Sequence, residues 1–258
     1  MAPNNFVKHL RLHAVEISGE AVGTFLFLLM ALSAAQVANS DTSHAGDDIH
    51  PGDINLTQLL YISLAFGFSL AVNVSIFARV SGGLFNPAVT LGMCLVGKVT
   101  WIKGIFLTGG QILGGVVAAA VVKGIFPGTY VVQTKLGHGA SVAQGLLIET
   151  FLTLELMLAI YFMAVEKHEG NALAALVIGF ALFVAELPGI YYTGGSLNPA
   201  RTFGPDLITL DFGAAHWIYW VGPFLGATLA AVFYKFIKFL QAEAAENSDD
   251  TERQPLLS

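Results

Sequence analysis

Apolar residues dominate six long stretches of the chain, at 14–38, 57–79, 100–123, 141–164, 172–191 and 214–240. Each stretch is close to the ~20 residues that a helix needs to cross the hydrocarbon core of a membrane. Polar residues concentrate between these stretches and at the two ends of the chain. The pattern therefore predicts six transmembrane helices joined by short loops.

Two shorter apolar stretches, at 87–96 and 199–209, lie between predicted spans. Each begins at the proline of an Asn-Pro-Ala tripeptide, at 86–88 and at 198–200. Proline suits the first turn of a helix, because its missing N–H would have no intrahelical partner there. We therefore expect two re-entrant half-helices, which begin at these prolines and do not cross the membrane.

The second half of the chain repeats the first. A gapless shift of 112 residues (198 minus 86) aligns the two Asn-Pro-Ala boxes, Gly82-Gly83 with Gly194-Gly195, Gly67-Phe68 with Gly179-Phe180, and Gly114 with Gly226. Each half holds three spans, an odd number, so the second half must enter the membrane from the opposite face. The sequence thus predicts an all-α membrane protein with inverted halves at about 14–125 and 140–240. In such folds the functional site tends to lie at the midplane, where interrupted helices meet.

Composition agrees with a membrane protein. Only 12% of the residues are charged and the mean hydropathy is +0.67, whereas soluble domains carry about 25% charged residues. The net charge of −6 does not suggest nucleic-acid binding. A single cysteine, Cys94, excludes an intrachain disulfide framework.

Lysine and arginine predict the orientation of the chain, because cytoplasmic loops carry an excess of both. With the N-terminus inside, the inner side receives Lys8, Arg11, Arg79, Lys98, Lys103, Lys167, Lys235, Lys238 and Arg253. The outer side receives Lys123 and Lys135, apart from Arg201 beside the second box. We expect both termini to be cytosolic, with an N-terminal tail at 1–13, a membrane domain at 14–240 and an acidic tail at 241–258.

The two half-helices would meet near the middle of the membrane. Each N-terminus carries about half a positive charge and several unpaired N–H groups. Asn86 and Asn198 are favoured cap residues, and their NH₂ groups can donate into a cavity. The loops before them can expose carbonyl oxygens of Gly82, Gly83, Leu84, Gly194, Gly195 and Ser196. This arrangement predicts a single file of bound water, with positive helix ends that disfavour cations and protons.

Two Asn-Pro-Ala boxes after matched Gly-Gly loops, in a six-span inverted repeat, resemble the major intrinsic proteins, or aquaporins. The resemblance runs from about Glu16 to Phe239 and is strongest at 81–92, 192–205 and 216–223. It implies one pore per chain, a homotetramer, and a passive water channel rather than an enzyme.

The resemblance also implies a second constriction toward the outer face, a selectivity filter formed by Phe66, Glu186, Gly195 and Arg201. An arginine at membrane depth is costly and marks a functional site by default. Glu186 departs from the family, in which water channels usually have histidine there and glycerol channels usually glycine. Its carboxylate either lies close to Arg201 and offsets the positive field, or is aimed at the outer vestibule by a bend at Pro188 and Gly189.

Solute selectivity is less constrained than the fold. Tyr219, Trp220 and Thr202 match the water channels of the family, whereas the small Gly195 leaves room in the filter. Leu84 also departs, because relatives often have histidine there. The alternative to a water channel is therefore a channel that also passes hydrogen peroxide, ammonia or small polyols.

Glu20 and Glu149 occupy equivalent places in the first and fourth spans. The resemblance makes them braces that accept hydrogen bonds from the two re-entrant loops, with Gln111 and Glu155 in similar roles. The rival interpretation is a proton relay in an ion-coupled carrier. We expect no cofactor, metal site or catalytic centre, because histidines and carboxylates are scattered along the chain.

The C-terminal tail ends in Glu-x-x-x-Leu-Leu, formed by Glu252, Leu256 and Leu257. This resembles an acidic dileucine signal that sorting adaptors bind, although so short a motif also occurs by chance. We expect an integral protein of the plasma membrane or of a vacuolar or endosomal membrane.

Overall fold

The computed structural model describes the backbone of residues 5–40, 55–166 and 173–253, and the side chains of 13–40, 55–166 and 173–246. Its α-helices are α1 (Asn5–Ser40), α2 (Leu56–Phe77), α3 (Pro87–Leu95), α4 (Trp101–Ile125), α5 (Val142–Ile160), α6 (Ala174–Thr193), α7 (Pro199–Thr209) and α8 (Ile218–Arg253). A π-helical turn, Tyr161–Val165, extends α5. The described residues contain no strand, so this part of the chain is all-α as predicted.

Six of these helices are long and apolar enough to cross a membrane, namely α1, α2, α4, α5 with its π-turn, α6 and α8. They correspond to the six predicted spans, but two of them extend further than expected. α1 begins at Asn5, and α8 continues to Arg253, well past the expected end near residue 240. The sequence after 240 is rich in Ala, Glu and Gln, which favour helix in water. The helix α8 therefore continues past its apolar part into the polar tail without a break.

The helices α3 and α7 are the two predicted half-helices, with nine and eleven residues. At 1.5 Å per residue neither can cross a core ~30 Å thick. Six spans place the start of α1 and the end of α8 on one face, which we call the inner face in line with the predicted orientation. It follows that α3 enters from the inner face and α7 from the outer face.

Helix packing repeats between the two halves. In the first half α1 packs against α4, and in the second half α5 packs against α8. Between the halves, α4 contacts α7, α8 contacts α3, and the equivalent helices α2 and α6 pack on each other. Exchange of the halves therefore reproduces the packing, as an inverted repeat requires.

Glycine allows the closest helix contacts. A Cβ on Gly67 of α2 would lie 2.7 Å from the carbonyl oxygen of Gly179 on α6, and a Cβ on Gly179 would meet the Gly67 carbonyl in turn. In the same way Gly114 faces the backbone of α1 and Gly226 that of α5. Small residues let membrane helices approach this closely, so the matched glycines of the repeat lie at its helix contacts.

Candidate functional site: a central cavity between two half-helices

A cavity of about 350 Å³ lies between the two halves. Its lining extends from Arg79 and Ala164 at the inner end, past both Asn-Pro-Ala boxes, to Phe66 and Arg201. The helices α2 and α6 contribute apolar side chains to it, from Leu70, Val74, Ile178 and Leu182. Most polar groups come instead from the two loops and their asparagines, so a solute finds hydrogen bonds mainly along one line.

Asn86 and Asn198 cap the two half-helices and are bonded across the centre. Each side-chain oxygen accepts from the backbone N–H two residues on, at 2.8 Å for Asn86 and 2.9 Å for Asn198. Each NH₂ group donates to the opposite loop, from Asn86 to the Leu197 carbonyl at 2.8 Å and from Asn198 to the Phe85 carbonyl at 2.9 Å. An NH₂ group has two N–H bonds, so each asparagine keeps one for the cavity that it lines.

Glu20 of α1 lies beside the first loop and is fully buried. Its carboxylate accepts from the Ser81 hydroxyl at 2.7 Å, from the N–H groups of Leu84 and Phe85 at 3.1 and 2.7 Å, and from the Gln111 amide at 2.7 Å. Four donors therefore hold this carboxylate, and it satisfies loop N–H groups that would otherwise be buried without partners.

Glu149 of α5 has the equivalent place beside the second loop and is also fully buried. It accepts from the Thr193 hydroxyl at 2.6 Å and from the N–H groups of Ser196 and Leu197 at 3.0 and 2.7 Å. By contrast Glu155, expected to be a similar brace, is exposed on α5.

The two loops take their shape from four glycines with positive φ, at 105° for Gly82, 67° for Gly83, 83° for Gly194 and 61° for Gly195. Glycine adopts this backbone conformation without a Cβ penalty. Of the six predicted pore carbonyls, four belong to residues that line the cavity, namely Gly82, Gly83, Leu84 and Ser196. Those of Gly194 and Gly195 accept from Arg201 instead.

Arg201 is 3% exposed and is held by three carbonyl oxygens. Its Nε donates to Gly195 at 2.9 Å, its Nη1 to Val132 at 2.7 Å and its Nη2 to Gly194 at 3.1 Å. The guanidinium carbon lies 5.2 Å from the centre of the Phe66 ring, which is a cation–π geometry. A guanidinium has five N–H groups, so two are left to face a solute.

Glu186 of α6 is completely buried and lines the same cavity as Arg201. Neither carboxylate oxygen has a hydrogen-bond partner within the described part of the chain. A Cβ on Gly195 would collide with Oε2 of Glu186, so this carboxylate fills the room that Gly195 was expected to leave. Complete burial does not agree with the alternative in which Pro188 and Gly189 aim Glu186 at the outer vestibule.

A second cavity, of about 220 Å³, lies on the outer side of these residues. Ile62 and Ile190 are part of its lining, and each lies four residues, about one helical turn, from Phe66 and Glu186. The structure thus brings together Phe66, Glu186, Gly195 and Arg201 between an inner and an outer cavity, although they come from α2, α6, a loop and α7.

Sequence reasoning missed two parts of this site. The first is Val132, which contributes only a backbone carbonyl. Every residue has such a carbonyl, so the residue type gives no sign of this contact. The second part is Thr193. Its carbonyl accepts from the Tyr219 hydroxyl at 2.8 Å, and its own hydroxyl donates to Glu149. A comparison of the two loops could have found Thr193, because it occupies the place of Ser81 in the repeat.

The inner mouth of the cavity is bounded by the π-turn, from which Ala164 lines it. Directly after this turn, Glu166 accepts from the Tyr234 hydroxyl at 2.6 Å and from Lys238 at 3.1 Å. These hydrogen bonds, first that of Tyr234 and then that of Lys238, hold the pKa of Glu166 below its ordinary value. The contact connects the end of the π-turn to α8.

Six spans, two half-helices that meet at a cavity and a line of polar groups through it define a polytopic membrane channel. The sequence matches the family described as MIP: Major intrinsic protein over residues 8–234. The chain belongs to the major intrinsic protein family, whose members are channels and not enzymes.

Individual relatives agree with this assignment. The chain is 52% identical over 243 residues to Aquaporin-7 of Botryotinia fuckeliana, covering 94% of this chain and 54% of that protein. It is 45% identical to Probable aquaporin-3 of Gibberella zeae, covering 93% and 83%. The chain spans about half the length of several curated relatives that it matches. Its fold is similar to the X-ray structure of the aquaglyceroporin from Plasmodium falciparum, with a TM-score of 0.69, 23% identity, and coverage of 86% of this chain and 95% of that one.

Proposed function

We propose that the chain forms a passive water channel, with one pore that runs through the cavity between its halves. The observation that carries the proposal is the pair of asparagines bonded to each other's loops, which leaves one N–H on each at the centre. Water both donates and accepts hydrogen bonds, so it can exchange one partner for the next along this line. Loop carbonyls on either side supply the acceptors.

Two features support the exclusion of ions. The helices α3 and α7 direct the positive ends of their dipoles at the centre of the cavity. Arg201 adds a full positive charge at the outer end, beside the ring of Phe66. Along the inner part of the cavity a hydrated cation would also have to lose water against Leu70, Val74, Ile178 and Leu182, whose apolar side chains offer no replacement ligands.

Glu186 favours a second candidate, a channel that also passes hydrogen peroxide, ammonia or small polyols. Both of its oxygens are buried and without partners among the described residues, so they can accept from a solute once the side chain turns into the cavity that it lines. Its charge, when ionised, offsets that of Arg201. In this candidate the filter consists of Phe66, Glu186, Gly195 and Arg201, and selects by hydrogen bonding as well as by width.

Glu20 and Glu149 support a channel rather than an ion-coupled carrier. A proton relay needs carboxylates that can exchange protons along a path. These two instead accept four and three hydrogen bonds from groups that position the re-entrant loops. We therefore assign them to bracing.

Assembly and location are part of the proposal. We expect a homotetramer, on the basis of the family, with both termini in the cytosol on the basis of the lysines and arginines. The membrane is the plasma membrane or a vacuolar or endosomal one. The sorting signal at Glu252, Leu256 and Leu257 lies outside the residues whose side chains are described, and it stays a prediction from the sequence.

Stopped-flow light scattering on proteoliposomes tests the function. Wild type is compared with Glu186→His, and with Glu155→Gln as a control for a carboxylate exposed on α5. If the chain is a water channel, the vesicles should shrink rapidly in both sucrose and glycerol and should not re-swell in glycerol. Re-swelling in glycerol that Glu186→His abolishes supports the second candidate. Permeability at the level of empty liposomes contradicts both.

A further inference from the structure

The charged side chains that line the central cavity are unevenly distributed along it. Within the described part of the chain they are Arg79, Glu186 and Arg201. Glu186 and Arg201 lie together at the outer end, because Gly195 contacts both. Its carbonyl accepts from Nε of Arg201, and a Cβ on it would collide with Oε2 of Glu186. Arg79 lines the inner end, so the cavity has opposite charges at one end and a single positive charge at the other.

Arg79 lies two residues after the end of α2 and leads into the first loop. The N–H groups of Val80 and Ser81 donate to the carbonyl of Phe77 at 2.8 and 3.0 Å, and this turn fixes the backbone of Arg79 beside the loop. The side chain of Arg79 is exposed and has no hydrogen bond or ion pair with any residue that the structure describes. Its charge is therefore not neutralised at the inner mouth.

Two other cations of the inner face differ from Arg79 in both respects. Lys103 pairs with Glu16 at 2.7 Å and Lys238 pairs with Glu166 at 3.1 Å, and neither lysine lines the cavity. A positive charge that served only to orient the chain in the membrane could lie anywhere on the inner face. Orientation alone does not require an unpaired arginine in the lining of the cavity.

The two charges at the outer end oppose each other when Glu186 is ionised. The attraction of Glu186 for a distant cation then offsets the repulsion by Arg201, because the two lie at similar distances from it. The sum over the lining is one positive charge, two arginines against one glutamate, and this charge resides at Arg79. A cleft with low-dielectric walls focuses such a field and changes the local concentration of ions at its mouth.

We propose that Arg79 is a specificity-determining residue of the channel, which repels protons and other cations at the inner mouth. The repulsion lowers the concentration of cations that can enter the cavity from the inner side, whereas water is neutral and is not repelled. Selection against cations is thus divided between the inner mouth and the half-helix dipoles at the centre. Arg79 supplies the charge that Glu186 and Arg201 together do not.

This inference rests on the proposed channel function. Proteoliposomes that contain a pH-sensitive dye are given a potassium diffusion potential, and the rate of proton entry is divided by the water permeability of the same vesicles. We expect Arg79→Gln to raise this ratio about threefold to tenfold, because a neutral amide does not repel protons. Arg79→Lys keeps the charge and should keep the wild-type ratio. Lys103→Gln, which removes an inner-face charge outside the cavity lining, should also keep it.

Salt and a second substitution test the electrostatic cause. The screening length falls from ~30 Å at about 0.01 M salt to ~3 Å at about 1 M, so the difference between wild type and Arg79→Gln should nearly disappear in high salt. Addition of Glu186→Gln to Arg79→Gln leaves Arg201 unopposed, so the ratio should fall back toward the wild-type value. A change in the shape of the mouth alone would not respond to salt.

Circular dichroism of each purified variant checks that it has folded. An equal ratio in wild type and Arg79→Gln at low salt would overturn this inference while the proposed function stands. So would a rise in Arg79→Gln that persists in high salt, or an equal rise in Lys103→Gln. Water permeability no greater than that of empty liposomes would overturn both.

Discussion

Phe85 and Leu197 lie at the centre of the pore and adopt a backbone conformation that is rare for bulky residues. Their φ angles are +52° and +50°, a left-handed conformation that costs ~1–3 kcal/mol at a non-glycine residue. Each carbonyl thereby accepts from the asparagine of the opposite half, while each N–H donates to Glu20 or Glu149. These hydrogen bonds on both sides of the residue maintain the strained conformation.

Gly195 and Glu186 are expected to depend on each other. Gly195→Ala should lower water permeability, because its Cβ would displace the Glu186 carboxylate from the place it occupies. Gly139→Ala is the matched control, since Gly139 has a φ of +76° with no atom within 4 Å of a built Cβ. It carries the same backbone strain, about 1–2 kcal/mol, without the collision. Stopped-flow measurement of both variants separates the two effects.

The double variant Gly195→Ala/Glu186→Ala completes the test. Removal of the carboxylate leaves room for the new Cβ, so permeability should recover relative to Gly195→Ala alone. Equal losses in Gly195→Ala and Gly139→Ala, with no recovery in the double variant, would attribute the effect to backbone strain only.

The half-helices α3 and α7 are too short to be stable alone, because isolated helices under ~12–15 residues are marginal. They persist because asparagine caps them and a buried carboxylate holds the loop before each. The two sites differ in one respect. Glu20 and Thr90 both bond Gln111, whereas the repeat places Pro223 in α8 at the position of Gln111 (111 plus 112). The second loop therefore has one donor fewer at its carboxylate.

Loss of either carboxylate is expected to destabilise its loop. Glu20→Leu and Glu149→Leu each leave two buried backbone N–H groups without an acceptor, at about 1–3 kcal/mol for each group. The thermal unfolding midpoint in detergent should fall clearly in both variants. Glu155→Leu, an exposed site on the same helix as Glu149, should leave the midpoint almost unchanged. Three similar midpoints would show that the carboxylates are not braces.

The two halves of the molecule are in close backbone contact where α2 and α6 cross, at Gly67 and Gly179. Each glycine lies against the carbonyl of the other, so the approach of the halves, and with it the width of the cavity, depends on the absence of both Cβ atoms. Because α2 and α6 are the equivalent helices of the two halves, one substitution at this crossing affects both halves.

Gly179→Ala is expected to force α2 and α6 apart and to destabilise the folded protein by about 1–3 kcal/mol, the usual cost of overpacking. Gly109→Ala is the control, because a Cβ at Gly109 of α4 has no atom within 4 Å. Alanine is favoured over glycine inside a helix by about 1 kcal/mol, so this variant should be as stable as wild type or more so. Unfolding midpoints in detergent give the comparison, and a tolerated Gly179→Ala would contradict a rigid contact.

The sequence alone was sufficient for the spans, the half-helices, the inversion and the asparagine pair. Span number follows from the length of apolar stretches, and each half-helix follows from a proline after its cap. Helix ends were less accurate, as α8 shows, because a polar helix in water and a loop have similar composition. The exposure of Glu155 was also not evident from the sequence, because most of its neighbours along the chain are apolar.

Only the tertiary structure decided where the polar groups of the pore find their partners. Val132 and Arg201 are 69 residues apart, and Glu186 fills space beside Gly195 only because α6 and the loop after it fold back on each other. Likewise, one N–H of each asparagine amide finds its acceptor only in the loop of the opposite half. Hydropathy and repeats depend on neighbours along the chain and can be read from it, whereas these contacts depend on distances that exist only after the two halves have packed.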